Sequence, residues 1–166
     1  WVTEYHMDGL RLDATHALID DSPVHIVAEL TAAVRTAAGR HIIVHAEDHR
    51  NLAAMVESAV EGGWGLDGVW ADDFHHELRV LLTNAHETYY ALYDGTTEDI
   101  ALTLRKGFEL IDEGHPRPDA SDPASAFVFC IQNHDQVGNR PFGDRLHHVA
   151  NLDRYAVATA LMLFAP

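Results

Sequence analysis

Seven residues, His41-Ile42-Ile43-Val44-His45-Ala46-Glu47, set the strongest limit on the fold. The centre of the run is apolar and β-branched at successive positions, so both faces need cover, and a strand buried on both faces belongs to a parallel sheet flanked by helices. The preceding residues agree. Asp20-Asp21-Ser22-Pro23 reads as a helix start, with Ser22 as N-cap and Pro23 at the first helical position. Val27, Leu30 and Val34 recur at helical spacing until Gly39 ends the segment. Earlier still, Gly9-Leu10-Arg11-Leu12-Asp13 alternates, placing Gly9, Arg11 and Asp13 on one face of a strand and Leu10 and Leu12 on the other. Strand, helix, strand is one βαβ unit.

The pattern continues downstream. Asp48 to Asn51 reads as a polar turn, Leu52 to Glu61 as a short helix and Gly62-Gly63 as a break. Leu66 to Trp70 is a brief strand. Asp72-Asp73-Phe74 opens a helix running through Leu78, Leu81 and Leu82. A polar, aromatic loop around Tyr89, Tyr90 and Tyr93 leads to Thr96 or Thr97 and a third long helix marked by Ile100, Leu104, Phe108 and Ile111. Gly114 to Pro123 is loop by its proline content and too short for a domain linker. Ala126 to Gln132 is another continuous apolar strand that delivers Asn133-His134-Asp135-Gln136 to its carboxyl end, and Leu152 to Phe164 is a last apolar helix. Four alternations of strand and helix, with no internal repeat, predict an α/β fold with a parallel sheet and helices outside. In such sheets the ligand site lies beyond the carboxyl ends of the strands, where Asp13, Glu47 and Asp135 all fall.

With 166 residues, 47% of them hydrophobic, the chain can bury a core and is expected to form one domain. Its 11 basic and 26 acidic residues give a net charge of −15, which repels phosphate backbones and acidic membranes and argues against nucleic acid as partner. Neutral ligands such as sugars are unaffected. The single cysteine, Cys130, forbids an intrachain disulfide and cysteine-built zinc sites, and its apolar setting suggests a buried thiol. No signal region, no apolar run of membrane-spanning length and no Asn-x-Ser/Thr acceptor occurs, so a cytoplasmic protein without membrane partners is expected. The chain begins with Trp1 rather than Met and stops at Pro166 just after an apolar run, as a piece of a longer chain would.

Arg11, two residues before Asp13 on the same face, favours the ionised form of Asp13, which suits a nucleophile or an ordinary ion pair. Three acids at three strand ends are a more specific signal. Retaining glycoside hydrolysis needs two carboxyl groups about 5 Å apart, and neighbouring parallel strands lie about 4.8 Å apart. The thirteen histidines raise a metal alternative, since His45-x-Glu47-x-His49 could present three ligands on one strand face. One cysteine rules out the Cys-x-x-Cys partner of the zinc deaminases, and no His-Glu-x-x-His helix occurs, so no metal and no cofactor are expected. A metal-dependent hydrolase remains the remote alternative, and a non-catalytic relative would be expected to have lost one of the acids. Phe127 and Phe129 read as core. His75-His76 fits either a polar helix start or a sugar-lining pair, and Trp64, Trp70 and the tyrosines fit either sugar platforms or packing.

Three of these stretches, Gly9-Leu10-Arg11-Leu12-Asp13, Ala46-Glu47-Asp48 and Asn133-His134-Asp135, resemble, in order, three motifs of the α-amylase family of glycoside hydrolases, family 13. The resemblance implies a (β/α)8 TIM barrel of which residues 1–166 form a partial catalytic domain, its second half, from about strand 4 to the helix after strand 7. It implies Asp13 as nucleophile, Glu47 as general acid/base and Asp135 as transition-state stabiliser, with Arg11 holding Asp13 ionised and His134 bonding a sugar hydroxyl. Asp13-Ala14-Thr15-His16-Ala17, Ala46 to Asn51, Asp72 to His76 and Gln132 to Asn139 are most similar to the branch acting on maltooligosyltrehalose. That adds His16, Asp48, Asp73, His76, Asn133 and Gln136 as substrate-binding candidates. Branching enzymes and α-amylases, acting on α-glucan, are the alternatives within the family. The family's first motif, Asp-x-x-x-Asn-His, is placed upstream of Trp1, so the resemblance also implies that this piece alone is inactive.

Overall fold

The computed structural model describes residues 1–108 and 124–166, which fall into two compact units. Trp1–Trp70 with residues 124–128 make the first, and it holds the four strands found among the described residues: β1 (Gly9–Leu12), β2 (Ile43–Ala46), β3 (Gly68–Trp70) and β4 (Phe127–Val128). They pair in that order and every pair is parallel, as the sequence predicts. Gly9 is required where it stands, because a Cβ there would lie 2.9 Å from the Ile43 carbonyl oxygen across the ladder.

The run around β2 is buried on one face only. Ile42, Val44 and Ala46 are fully enclosed, whereas Ile43 is 47% exposed and His45 and Glu47 are half-buried. The face shared by Ile43, His45 and Glu47 carries the polar groups of the strand ends and stays partly open, so the expectation of two covered faces fails there. Val27, Met55, Val69 and Phe127 complete the enclosed side.

Helix α1 (Ile26–Ala38) begins later than its sequence suggests. His25, not Ser22, is the N-cap, accepting the Val27 N–H on Nδ1 at 3.2 Å. The Asp20 carboxylate accepts the amides of Ser22 (3.0 Å) and Ile26 (2.5 Å), which holds residues 21–25 in a loop and delays the first helical turn. Gly39, at φ 62°, closes α1 as expected. The predicted helix over Leu52 to Glu61 is instead two 3-10 turns, Ala53–Met55 and Ala59–Glu61. Asn51 in the left-handed region and Ser58, which caps the second turn through the Val60 N–H, interrupt it. Asp67 ties the unit together: its carboxylate accepts the Val44 N–H at 2.7 Å, Arg35 Nη2 at 2.6 Å and His41 Nε2 at 2.9 Å. Burial alone would raise the Asp67 pKa; the Val44 amide and the Arg35 charge outweigh it and hold the carboxyl below its usual range.

The second unit, residues 71–108 with Phe129–Pro166, is helical. It contains α2 (Asp72–Thr83), a 3-10 turn at Thr88–Leu92, α3 (Thr97–Lys106), α4 (His134–Gly138), α5 (Leu146–Val149) and α6 (Leu152–Leu163). Phe74, Leu78 and Leu82 of α2 pack with Ile100, Ile131, Leu146 and Ala158. Each large side chain so buried stabilises the unit by roughly 1.5–3 kcal/mol. Thr96 opens α3 by accepting the Asp99 N–H at 3.1 Å, and Gly107, at φ 77°, stops it before Phe108. Ile111 and the predicted loop from Gly114 to Pro123 lie outside the described residues.

The apolar run from Ala126 to Gln132 forms a strand only at Phe127–Val128. Ile131 enters the helical core and Phe129 sets its ring edge-on to Phe74 at 5.2 Å, so these residues follow the helices and leave the ladder. Cys130 is half-buried, and burial, with the Asp72 charge, pushes its thiol up to about 12. The short helix α5 follows Arg145, which carries none of the usual N-cap side chains. No helix among the described residues is long and apolar enough to cross a membrane.

Candidate active site

Parallel pairing of β1 with β2 sets Leu12 opposite Ala46, so Asp13 and Glu47 leave the sheet side by side. The ladder runs on past the strands: the Glu47 N–H donates to the Leu12 carbonyl at 2.9 Å, and the Thr15 N–H donates to the Glu47 carbonyl at 3.1 Å. Between these bonds Ala14 adopts the left-handed conformation, φ 47° and ψ 46°, which turns its N–H onto Glu47 Oε2 at 2.7 Å. One carboxylate oxygen of Glu47 is thereby fixed by the backbone of the neighbouring strand end.

Arg11 joins the two acids. Its Nη1 lies 2.6 Å from Asp13 Oδ1 and its Nη2 lies 3.4 Å from Glu47 Oε2. From β3, the Trp70 ring receives the guanidinium on its face at 4.9 Å, so this ring supports Arg11. The Asp13 side chain is 74% exposed and that of Glu47 18%, an open carboxylate beside a sheltered one.

Below them sits a residue that the sequence offers only as a substrate contact and that acts here as a support. Asp48, fully buried, accepts Thr15 Oγ1 at 2.7 Å, Arg50 Nη2 at 2.7 Å, and Arg50 Nε and N–H at 3.0 Å each. Burial would raise the Asp48 pKa, but the Arg50 and Thr15 bonds prevail and hold it below the carboxylate range. The signal was present: an acid and a cation two residues apart, as in the Arg11 and Asp13 pair, though in the reverse order. His16 packs its ring on His49 at 4.1 Å, with Nδ1 buried and unpartnered among the described residues. Trp64 is stacked by His25 at 4.0 Å and flanked by Arg50 at 5.8 Å.

The second unit carries the other candidates. Asn133 caps α4, accepting the Asp135 N–H at 2.8 Å, while Gln136 Oε1 accepts the Asn133 N–H at 2.7 Å. This capping box fixes Asp135 in the first helical turn, with His134 Nε2 3.4 Å from its carboxylate. Both side chains face solvent, at 70% and 45% exposure. Asp73 is buried and accepts the Tyr93 hydroxyl at 2.7 Å. His76 packs its ring against His75, Tyr89, Tyr90 and Tyr93. Among the described residues no group of three or more potential donors is placed to hold a metal ion.

No family model matches the chain. Individual relatives do. It is 47% identical over 98% of its length to a malto-oligosyltrehalose trehalohydrolase of Deinococcus radiodurans, covering 28% of that protein. It is 36% identical, over its whole length and 30% of the relative, to that of Saccharolobus solfataricus, and 38% identical, again over its whole length and 30% of the relative, to that of a Rhizobium species. A crystal structure from Salmonella typhimurium, provisionally described as an alpha amylase, superposes with a TM-score of 0.83 at 37% identity, covering all of this chain and 30% of that one. The chain therefore spans about 30% of the length of the proteins it matches. Its parallel sheet with helices is part of the (β/α) barrel of that family. By sequence over its whole span and by fold, the chain belongs to the α-amylase family, as a stretch similar throughout to malto-oligosyltrehalose trehalohydrolases.

Proposed function

We propose that the protein containing this chain is a retaining glycoside hydrolase that cleaves the α-1,4 bond joining trehalose to a malto-oligosaccharide. The observation carrying this reading is the Arg11 guanidinium set between Asp13 and Glu47 at 2.6 and 3.4 Å. It supports the reading of Asp13 and Glu47, on adjacent strand ends, as nucleophile and acid/base of a double displacement. Asp13 attacks the anomeric carbon and forms a covalent glycosyl-enzyme as Glu47 gives its proton to the departing O4 of trehalose. Glu47 then takes a proton from water, which attacks the same carbon and releases Asp13. Asp135 stabilises the oxocarbenium-like transition state, and His134 bonds a sugar hydroxyl.

The remaining candidates are read in two roles. The His16 and His76 rings are assigned to sugar contact. Asp48, Asp73, Asn133 and Gln136 are engaged within the protein and shape the site. The names of the relatives support trehalose as the product, and the provisional description of the Salmonella structure favours a second reading, hydrolysis of plain α-glucan.

Incubating the full-length enzyme with maltooligosyltrehalose and with amylose, and resolving the products, separates these. Free trehalose from the first substrate is expected. Short maltooligosaccharides from amylose without trehalose would establish the amylase reading, and new α-1,6 branch points would establish a branching enzyme.

A further inference from the structure

Arg79, on α2, is 6% exposed, and its Nε is buried with no hydrogen-bond partner. Among the described residues its guanidinium makes no ion pair, and it lies over the Tyr90 ring, 5.6 Å from Cζ to centroid. A charge removed from water needs a polar partner, and an aromatic face supplies only part of that. Arg79 also lines a cavity of about 10 Å³, room for one water, whose walls include Tyr90, Gln132, Gln136 and Asp144. Two of these walls are structural members of the acid-bearing turn. Gln136 closes the capping box on Asn133, and Gln132 Oε1 accepts the Leu146 N–H at 2.6 Å, tying the start of the turn to α5.

We propose that Arg79 is a positioning residue for Asp135: its buried charge, balanced by Asp144 across the cavity, clamps the turn over residues 132–136 from behind. The inference rests on the reading of Asp135 as transition-state stabiliser. Arg79 itself touches no substrate. It acts through Gln132 and Gln136 on the backbone that carries His134 and Asp135, so its loss misplaces the acid without removing a sugar contact. Transition-state stabilisation suffers and ground-state binding does not.

The test uses the full-length enzyme on the α-glucan it cleaves, with Arg79→Met, Arg79→Lys, Asp144→Asn, the double variant R79M/D144N, and Asp135→Asn as control. Arg79→Met is expected to lower kcat about tenfold or more with KM within about twofold, and Arg79→Lys to recover about a third of wild-type kcat. The double variant is expected to be no slower than Arg79→Met alone, because the two charges act together. Arg79→Met with unchanged kcat, or a loss that Arg79→Lys does not restore, overturns the proposal. If Arg79→Met does not fold, Asp144→Asn decides: kcat about fivefold down at unchanged KM and melting temperature supports it, and wild-type kcat overturns it. An active Asp135→Asn enzyme would instead sink the underlying reading of Asp135. Loss in Asp135→Asn beside normal Arg79→Met and Asp144→Asn enzymes would sink this inference alone.

Discussion

Replacing Asp48 by Asn removes one charge from a buried site and changes little else in shape. The carboxylate receives four donors, three of them from Arg50. If the new amide nitrogen takes the place of Oδ2, Thr15 can reverse its hydroxyl and accept, while the remaining oxygen keeps the Arg50 N–H and Nε. The bond to Arg50 Nη2 is lost, and the survivors face a neutral acceptor. A bond to a charged partner contributes about 1.5–3 kcal/mol. The Arg50 side chain is 28% exposed and can turn to water, which keeps the loss below that of breaking a fully buried pair. The expected destabilisation is about 2–3 kcal/mol, or roughly 5–10 °C in Tm for a chain of this size. Its pH dependence is the sharper check. Because the folded pKa of Asp48 is lowered, its contribution is complete above the unfolded value of about 3.9 and disappears as pH falls through the folded value. Thermal melts of wild type and Asp48→Asn from pH 7 to pH 3 should show a constant gap down to about pH 5 that narrows below pH 4. Equal Tm at pH 7, or a gap that widens on acidification, would refute the assignment of Asp48 as an ionised strut.

In the full-length enzyme Asp13→Asn and Glu47→Gln should each abolish turnover while circular dichroism stays unchanged; retention of even about a tenth of wild-type kcat by either would remove that residue from the mechanism. Arg11→Met should lower kcat about a hundredfold at similar Tm, since it strips both acids of their shared cation while Trp70 still packs the side-chain stem; a kcat within about twofold of wild type would contradict this. Gly95→Ala should destabilise by about 2–4 kcal/mol in urea unfolding, because Gly95 sits at φ 70°. A Cβ there would meet Val80 Cγ1 at 2.6 Å and the Leu81 nitrogen at 2.7 Å. A wild-type midpoint would show that α2 can shift to admit it.

The pairing of Asp13 with Glu47 was legible because strand alternation and parallel register are both written in short-range sequence. Other features depended on contacts between residues far apart. The delay of α1 to Ile26 follows from a carboxylate reaching back from Asp20, and His25 is not a residue type that announces a cap. Phe129 to Ile131 are as apolar as Phe127 and Val128, so composition could not say that they leave the ladder for a helical core. The capping box at Asn133 and Gln136 stood in plain view at its proper spacing, yet the same residues read more readily as a strand end bearing a motif. Arg79 shows the limit most clearly. It lies four residues after His75 and three before Leu82, on the buried side of α2, but a charge in a helical pattern is ordinarily assigned to solvent.

The bonds that carry the ladder past β1 and β2 separate where the acids stand from which side chains surround them. Glu47 is gripped through its own amide and carbonyl and through the Ala14 amide, groups every non-proline residue possesses. Substitutions among the enclosed residues Val44, Ala46 and Val69 can therefore alter how firmly the sheet holds without redirecting the acid. A single-residue insertion between Leu12 and Thr15 would do the reverse, keeping every core contact and shifting the frame in which the two carboxylates meet. In such a site point mutations are absorbed and changes of length are not, so homologous chains can drift far in composition here while remaining rigid in spacing.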